Sequence, residues 1–322
     1  MTNYFKRTAT SCKVVAAFVG CVLLVFGQSR AAPSLLWQAN SGGRHAALTV
    51  PTGAKAGFTL MPPTVTGVSF TNLLPQWRHL TNQVLLNGSG VAAGDVDGDG
   101  LCDVYFCGLT KPNALYRNLG NWKFVDVAAE AGVACEGLTS SGAAMVDIEG
   151  DGDLDLVVNT VGHGTRVFAN DGKGRFTEMA RLNGTKAGMS LALGDLDGDG
   201  FLDLYVANYR TLALMDMPNT VFNFSTRNGQ RVIARVNGRP VTDPEFANRY
   251  RLNPRGGIEE DGEVDEVYRN VGGRSFAPLS FIDGTFLDEA GLPLAAPPFD
   301  WGLSVMMRDL NQDGLPDIWG LQ

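Results

Sequence analysis

Four acidic loops hold the residues most able to do chemistry in this chain. Each is nine residues long, and loops one to four occupy residues 95–103, 147–155, 195–203 and 309–317. In loops one and three, Asp stands at positions 1, 3, 5 and 9, so four hard oxygen donors surround one point. Carboxylates at this spacing, with a backbone carbonyl from position 7 and a turn-forming glycine at position 6, are typical of calcium ligands.

The odd positions of the four loops are the predicted metal ligands, with side chains from positions 1, 3, 5 and 9 and a carbonyl from position 7. They are Asp95, Asp97, Asp99, Leu101, Asp103, Asp147, Glu149, Asp151, Asp153, Asp155, Asp195, Asp197, Asp199, Phe201, Asp203, Asp309, Asn311, Asp313, Leu315 and Asp317. Glu149 has a longer side chain that is expected to distort loop two or to bind through a water. Asn311 leaves loop four with three formal charges and a weaker predicted affinity. At position 7 of loop two, the Asp153 side chain is expected to face solvent.

The alternative to metal binding is a set of acidic turns without an ion. Carboxylates about 4 Å apart repel by roughly 1 kcal/mol in water and by several times that near a protein surface. A divalent ion removes this repulsion, and four copies in register favour up to four structural Ca²⁺. The formal charge of −8 excludes a strongly basic nucleic-acid-binding chain, and no basic stripe with interleaved aromatic residues is present.

Residues 1–31 have the pattern of a secretory signal peptide. Basic residues precede an apolar run at 14–26, and Ser29 and Ala31 are small residues suited to cleavage. The 13-residue run is shorter than the roughly 20 residues that span a bilayer, so no membrane span is expected after cleavage. Lipid attachment at Cys21 is the weaker alternative. The chain is therefore predicted to be exported to the periplasm, the cell surface or the extracellular space.

The loops belong to a longer internal repeat. Counted from the first Asp of each loop, an Asn follows at 23 residues (Asn118, Asn170) and a Phe at 29 residues (Phe124, Phe176). The third copy keeps this order at Asn270 and Phe276, with every offset enlarged by 52. The third repeat therefore carries an insertion of 52 residues, placed at roughly 209–261.

Each repeat is predicted to form four short strands around its loop. An apolar strand enters the loop, a β-rich strand leaves it, and a hairpin with a Gly/Asn turn follows. The predicted first strands are 90–94, 141–146, 189–194 and 302–307, and the predicted second strands are 104–107, 156–158 and 204–206. The predicted third strands are 114–118, 165–170 and 266–270, and the predicted fourth strands are 122–125, 175–177 and 274–276. Units of about 50 residues with four strands are typical of β-propeller blades, so the fold class is all-β.

These residues resemble a known family. The loops and their spacing look like the FG-GAP or VCBS repeats of integrin-α-type propellers. The segments at 90–109, 114–133 and 202–211 are similar to the ASPIC/UnbV group, the bacterial relatives of cartilage acidic protein. The resemblance implies a seven-bladed, calcium-bearing propeller followed by a C-terminal ASPIC/UnbV domain. Because the sequence stops five residues after loop four, an incomplete propeller at 67–322 and a truncated product are expected.

Before the repeats, residues 32–66 read as a linker rich in Ala, Gly, Thr and Pro, and 66–70 as an isolated strand. Three cysteines follow the signal peptide, so at most one internal disulfide is possible. The strand order places Cys107 and Cys135 toward the same face and Cys102 at the other end, which favours a Cys107–Cys135 bond. Three free thiols are the alternative.

The insertion contains eight arginines and no lysine. Arginine suits bidentate contacts with carboxylates or sulfates, so Arg227, Arg231, Arg235 and Arg239 are candidate ligand contacts. A decorative surface hairpin is the alternative. In a four-stranded blade the insertion, between strands two and three, lies on the face opposite to the metal loops. The connector at 277–301 is expected to emerge on that same non-calcium face.

No catalytic constellation is recognised, since there is no nucleophile elbow, phosphate loop or zinc helix. The sequence therefore predicts a secreted or surface module, with structural calcium, that binds a protein or glycan partner. The alternatives are a polysaccharide-active enzyme or a non-functional fragment.

Overall fold

A computed structural model describes residues 36–40, 43–47, 53, 57–288, 290–310, 312 and 315–321. The chain divides into two compact units, Met1–Thr59 and Leu60–Gln322. In the first unit, β1 (Trp37–Asn40) and β2 (Gly43–Ala46) form an antiparallel hairpin. Part of the predicted linker therefore has regular structure. The predicted signal peptide lies outside the described residues.

The second unit opens with helical turns instead of the strand expected at 66–70. Helix α1 (Pro63–Thr66) begins beside Pro62 and ends where Gly67 adopts a left-handed φ of 82°. The strand prediction is wrong because this turn bends the chain, and Val68 N then donates to Thr66 Oγ1 at 3.1 Å. Helix α2 (Gln76–Thr81) and a 3₁₀ helix (Gln83–Asn87) lead into the first repeat.

Three repeats form four-stranded antiparallel sheets, which we call blades one to three. Blade one has β3 (Val91–Gly94), β4 (Asp103–Phe106), β5 (Ala114–Asn118) and β6 (Phe124–Asp126), followed by helix α3 (Ala128–Ala131). Blade two has β7 (Ser140–Val146), β8 (Asp155–Thr160), β9 (Thr165–Asn170) and β10 (Phe176–Leu182). Blade three begins with β11 (Gly188–Gly194) and β12 (Asp203–Asn208).

The insertion then supplies five strands before blade three resumes. They are β13 (Phe222–Arg227), β14 (Gln230–Val236), β15 (Arg239–Pro240), β16 (Tyr250–Leu252) and β17 (Ile258–Glu260). Blade three is completed by β18 (Glu266–Asn270) and β19 (Phe276–Pro278), and β20 (Ser304–Arg308) and β21 (Asp317–Leu321) form a final hairpin. In each blade the strands pair in the order predicted, and the all-β, propeller-like fold is confirmed.

Neighbouring blades share their apolar cores. The second strand of blades two and three is buried along its whole length, which explains the continuous apolar character of β8 and β12. Tyr105 and Leu115 of blade one pack with Leu156 and Val158 of blade two. The opposite face of blade two then packs on blade three in the same way. The acidic loops of blades two and three are thus each carried on a strand pair that is packed on both faces.

The insertion has a small core of its own, which a decorative hairpin would lack. Ile233, Val236, Phe246 and Tyr250 are buried together. Its two Asn-Gly turns have positive φ at both residues, as the hairpin prediction requires. At its base, Trp301 of the connector donates from Nε1 to the Glu260 carbonyl at 3.1 Å. The connector and the insertion therefore meet, as the strand order predicts.

Among the helices that the structure describes, none combines the length and the apolar character needed to cross a bilayer.

Candidate metal sites

The first Asp of each metal loop organises the backbone around it. Asp195 accepts hydrogen bonds from the backbone nitrogens of Gly198 at 2.7 Å, Asp199 at 3.1 Å and Gly200 at 2.9 Å. Asp147 and Asp95 accept equivalent bonds in loops two and one. Gly200 adopts φ 93°, a left-handed conformation that a side chain would resist. The loop is therefore wound around its first carboxylate by its own amides.

The ninth position ties the loop to the blade. Asp103, Asp155 and Asp203 are fully buried. In each, Oδ2 accepts the amide of loop position 2, as in Ile148 N to Asp155 at 2.7 Å. Oδ1 accepts the amide of the Asn that ends strand three, at 2.7 to 2.8 Å. Burial raises the pKa of all three carboxyl groups, and the two backbone donors act in the opposite direction.

Two loops bring three carboxylates together at the size of an ion site. Oxygen atoms of Asp95, Asp97 and Asp99 lie within 4.8 Å of one another, and so do those of three Asp residues in loop three. The loop-three set is Asp195, Asp197 and Asp203. This all-oxygen donor set fits a hard cation such as Ca²⁺, which takes six to eight oxygen ligands. These are the two loops with four Asp that the sequence favours.

Loop two differs from them, and no such three-carboxylate group forms there among the described residues. Asp153 Oδ1 is buried and has no hydrogen-bond partner, so the expectation that this side chain faces solvent is wrong. Burial, and then the neighbouring acids, raise the pKa of Asp153 to about 6. Burial also raises the pKa of Glu149. A buried carboxylate oxygen without a hydrogen-bond partner is costly unless the carboxyl group is protonated or lies beside a cation.

Loop four is described only in part. Leu310 N donates to Asp317 Oδ2 at 2.8 Å, which repeats the contact made by the buried Asp of the other loops. Asp309 accepts the amide of Gln312 at 2.6 Å. Asn311 and Asp313 lie outside the described residues, so the predicted weak site remains a prediction.

Two arginines that sequence reasoning missed reach the third loop position. Arg117 Nε lies 3.8 Å from Asp97 Oδ2, and Arg269 Nη1 lies 3.5 Å from Asp197 Oδ2. Both arginines stand directly before the repeated Asn, whereas blade two has Ala169 there. Each partly balances the charge of its loop. The sequence does contain a signal for these contacts: an Arg precedes the repeated Asn in the repeats whose loop has Asp at position 3, and not in the repeat that has Glu149 there.

The repeated Asn joins one blade to the metal loop of the blade before it. Asn170 Nδ2 donates to the Val96 carbonyl in loop one at 2.8 Å, and Asn270 Nδ2 donates to the Ile148 carbonyl in loop two at 2.9 Å. Both amides also donate to a carbonyl of their own loop. The sequence shows the repetition of this Asn, but its contact is with another repeat and has no local pattern.

The candidate arginines of the insertion are not equivalent. Arg239 pairs with Asp243 at 2.7 Å and with Glu245 at 2.5 Å, so its charge is already matched. Among the residues that the structure describes, no carboxylate forms an ion pair with Arg227, Arg231 or Arg235. The four candidates therefore divide into Arg239, whose charge is matched, and three arginines without such a carboxylate partner.

The predicted Cys107–Cys135 disulfide is not formed, and all three cysteines described are free thiols. Cys107 is fully buried, and burial raises its pKa to about 12. Cys135 lies 3.9 Å from the hydroxyl of Tyr105, which donates to the Val133 carbonyl. Both thiols pack in the core between blades one and two, where cysteine serves as a small apolar residue.

Comparison with known proteins agrees with the repeat architecture of the chain. A family model described as an FG-GAP-like repeat matches residues 95–158 and 147–206. Cartilage acidic protein 1 of Mus musculus is 29% identical over 182 residues, which are 54% of this chain and 25% of that protein. The Homo sapiens protein is 28% identical over 182 residues, with the same coverage. The Xenopus tropicalis protein is 28% identical over 126 residues, which are 38% of this chain and 20% of that protein.

The chain therefore carries FG-GAP-like repeats and is similar to cartilage acidic protein 1, as the sequence resemblance predicts. The matched region spans about a quarter of the length of the two mammalian relatives.

Proposed function

We propose that this protein is an exported, non-enzymatic interaction module whose blades are stabilised by calcium. The observation that carries the proposal is the convergence of three carboxylates in loops one and three, with oxygens within 4.8 Å of one another. Bound Ca²⁺ would supply charge neutralisation and a fixed coordination point. The chain itself positions the carboxylates. Backbone amides donate hydrogen bonds to Asp95 and Asp195, and the buried Asp103 and Asp203 accept amides of their own loops.

Calcium has a structural role in this proposal because the loops join the first two strands of each blade. A cation held by positions 1, 3 and 5 of loop one, or by positions 1, 3 and 9 of loop three, would fix the loop. The ninth Asp also accepts the amide of the Asn that ends strand three, which links the loop to that strand. Ion binding is then coupled to folding. Loops one and three are the strong sites of the proposal. Loops two and four are weaker, for the reasons of side-chain length and charge already given.

The partner surface of the module lies on the non-calcium face. The insertion and the connector meet there through Trp301 and Tyr209, whose rings are 4.6 Å apart. A buried ion cluster, Glu260 with Arg210 and Arg249, fixes the base of the insertion. An inserted element with a core of its own supports the proposed recognition of a protein or glycan. The extracellular setting of the proposal rests on the predicted signal peptide and on the similarity to cartilage acidic protein 1.

Calorimetric titration of the full chain with Ca²⁺ tests the proposal. We expect at least two tight sites, of which one is lost in Asp97→Ala and another in Asp197→Ala. Asn311→Ala is the matched control in the weakest loop and should leave both tight sites in place. Absence of heat on titration of the wild type, with no change in its unfolding, would refute a calcium-stabilised module.

A further inference from the structure

One sheet face of the insertion is polar and cationic, and its arginines form no ion pair with a carboxylate among the residues that the structure describes. Residues 217–242 contain four arginines and no acidic residue, in a protein with a formal charge of −8. This segment forms β13, β14 and β15, a three-stranded antiparallel sheet. A local concentration of positive charge in an acidic chain is unexpected unless the charge faces something anionic.

Strand register sorts the side chains of this sheet onto two faces. Alternate residues share a face, and residues paired across strands share it too. Phe222 is paired with Val236 and Phe224 with Ile233, and Ile233 and Val236 lie in the core of the insertion. The register skips Ala234 at a β-bulge, and the residues that alternate with these inward pairs point outward. The outward set is Asn223, Ser225, Arg227, Gln230, Val232 and Arg235, of which all but the partly buried Val232 are exposed.

Two arginines define this outer face. Asn223 is paired with Arg235, and Arg227 with Gln230. Arg227 and Arg235 are therefore separated by about four residues along the strand, or about 13 Å at roughly 3.4 Å per residue. Arg235 donates to the Gly238 carbonyl at 2.7 Å, which holds its guanidinium beside the turn. Arg231 is on the core side, stacked 3.8 Å from the centre of the Phe224 ring.

Other arginines of the insertion form ion pairs with carboxylates of the insertion. Arg239 is paired with two carboxylates, and Arg251 is paired with Glu259 and Asp261. For Arg227 and Arg235, no carboxylate among the described residues forms an ion pair. Among the described residues, Arg227 and Arg235 on the outer face of the hairpin therefore lack the carboxylate partners that Arg239 and Arg251 have.

The chemistry of this face selects among anionic partners. A protein interface usually has an apolar or aromatic centre, and here only the partly buried Val232 lies between the polar residues. Single-stranded nucleic acid is held by aromatic rings on which bases stack, and the outer face has none. Amide and hydroxyl side chains between two planar guanidinium groups suit a hydroxyl-rich chain with carboxylates or sulfates at intervals.

From this arrangement we propose that the outer face of the β13–β14 hairpin binds an acidic polysaccharide, with Arg227 and Arg235 each pairing with one anionic group of the sugar chain. The inference rests on the proposed function and gives the module its ligand class. Asn223, Ser225 and Gln230 hydrogen-bond sugar hydroxyls between the two arginines. Arg239 and Arg251 take no part in binding because their own carboxylates occupy them.

The test measures binding of the full chain, in buffer with calcium, to immobilised heparin, polygalacturonate, uncharged dextran and duplex DNA. The variant is Arg227→Gln/Arg235→Gln. The matched control is Arg239→Gln/Arg251→Gln, which removes the same two charges from the same insertion. We expect binding to at least one acidic polysaccharide and none to dextran. The variant should weaken binding about tenfold or more, since hydrogen bonds to charged groups are strong, and the control should leave it within about twofold.

Three results would overturn the inference: wild type that binds neither acidic polysaccharide, equal losses in the variant and its control, or DNA bound as tightly with the same dependence on Arg227 and Arg235. Circular dichroism and the calcium-dependent melting of each variant are recorded in parallel. A wild type that binds polysaccharide through these arginines but melts at the same temperature with and without calcium would sustain this inference and refute the calcium proposal. The opposite pattern would refute only the polysaccharide site.

Discussion

Asn170 Nδ2 in blade two donates a hydrogen bond to the carbonyl of Val96 in the metal loop of blade one, at a distance of 2.8 Å. The same contact recurs one blade later, from Asn270 to Ile148 at 2.9 Å. Each of these amides is buried. The acidic loop of one blade is therefore held partly by the next blade, so the conformation of the loop and the packing of the blades are connected through a single side chain.

Removal of this contact should destabilise the stacked blades. In Asn170→Ala, the carbonyls of the buried Val96 and the partly buried Leu154 lose a donor, which should lower the free energy of unfolding by about 1 to 3 kcal/mol in urea titrations. Asn118→Ala is the matched control, since Asn118 Nδ2 donates to Cys102 of its own loop and the contact is exposed. A loss in Asn118→Ala as large as in Asn170→Ala would show that the contact between blades contributes nothing.

Position 9 and position 3 of a loop should respond differently to mutation. Asp103→Ala leaves the amides of Val96 and Asn118 without an acceptor, so it should destabilise by about 2 kcal/mol or more with or without calcium. Asp97 is a ligand candidate near the surface, and Asp97→Ala should reduce only the stabilisation that calcium adds. Melting of both variants in calcium and in EGTA checks this. An equal loss for Asp97→Ala in EGTA would contradict the assignment of roles.

A buried carboxyl group in blade three should make stability depend on pH. Asp265 is 5% exposed, and burial raises its pKa from 3.8 to about 7 even though Asn208 N and the Tyr205 hydroxyl donate to it. Because its pKa is higher in the folded state than in the unfolded chain, the folded protein loses stability as pH rises from about 4 to about 7. The shift of about three units corresponds to at most about 4 kcal/mol.

Asp265→Asn should flatten this part of the pH profile of the melting temperature and raise stability at pH 7. Blade one provides the precedent, because Asn113 occupies the equivalent position. Its Oδ1 accepts the amide of Gly108 at 2.7 Å, and its Nδ2 donates to the Tyr105 hydroxyl at 2.6 Å. Asp283→Asn is an exposed control that should leave the profile between pH 4 and 7 unchanged. A variant with the wild-type slope would show that Asp265 titrates normally.

Regular repeats made the blades predictable from sequence. The third strands at Ala114–Asn118, Thr165–Asn170 and Glu266–Asn270 have the bounds predicted for them. The aromatic residue and the Asn repeated in each of these strands, with the adjacent Gly/Asn turns, are local signals. The grouping of Asp95, Asp97 and Asp99 was predictable for the same reason, because nine consecutive residues determine it.

Features that depend on distant parts of the chain were not predictable. The role of Asn170 depends on a carbonyl 74 residues away. The core of the insertion assembles residues as far apart as Phe222 and Ile258, without a regular period. Cys107 and Cys135 were placed on the correct face but pack as thiols, since a strand order fixes direction and not the distance between two sulfur atoms.

The melting temperature of the full chain in excess Ca²⁺ and in EGTA is the most direct test of the central claim. One tight site at hundredfold excess adds about 2.7 kcal/mol, which should raise the melting temperature by about 5 to 10 °C in calcium. Mg²⁺ at the same concentration should have a smaller effect, because it fits a flexible all-oxygen protein site poorly. Superimposable melting curves in Ca²⁺ and EGTA would contradict the claim that the acidic loops hold stabilising calcium.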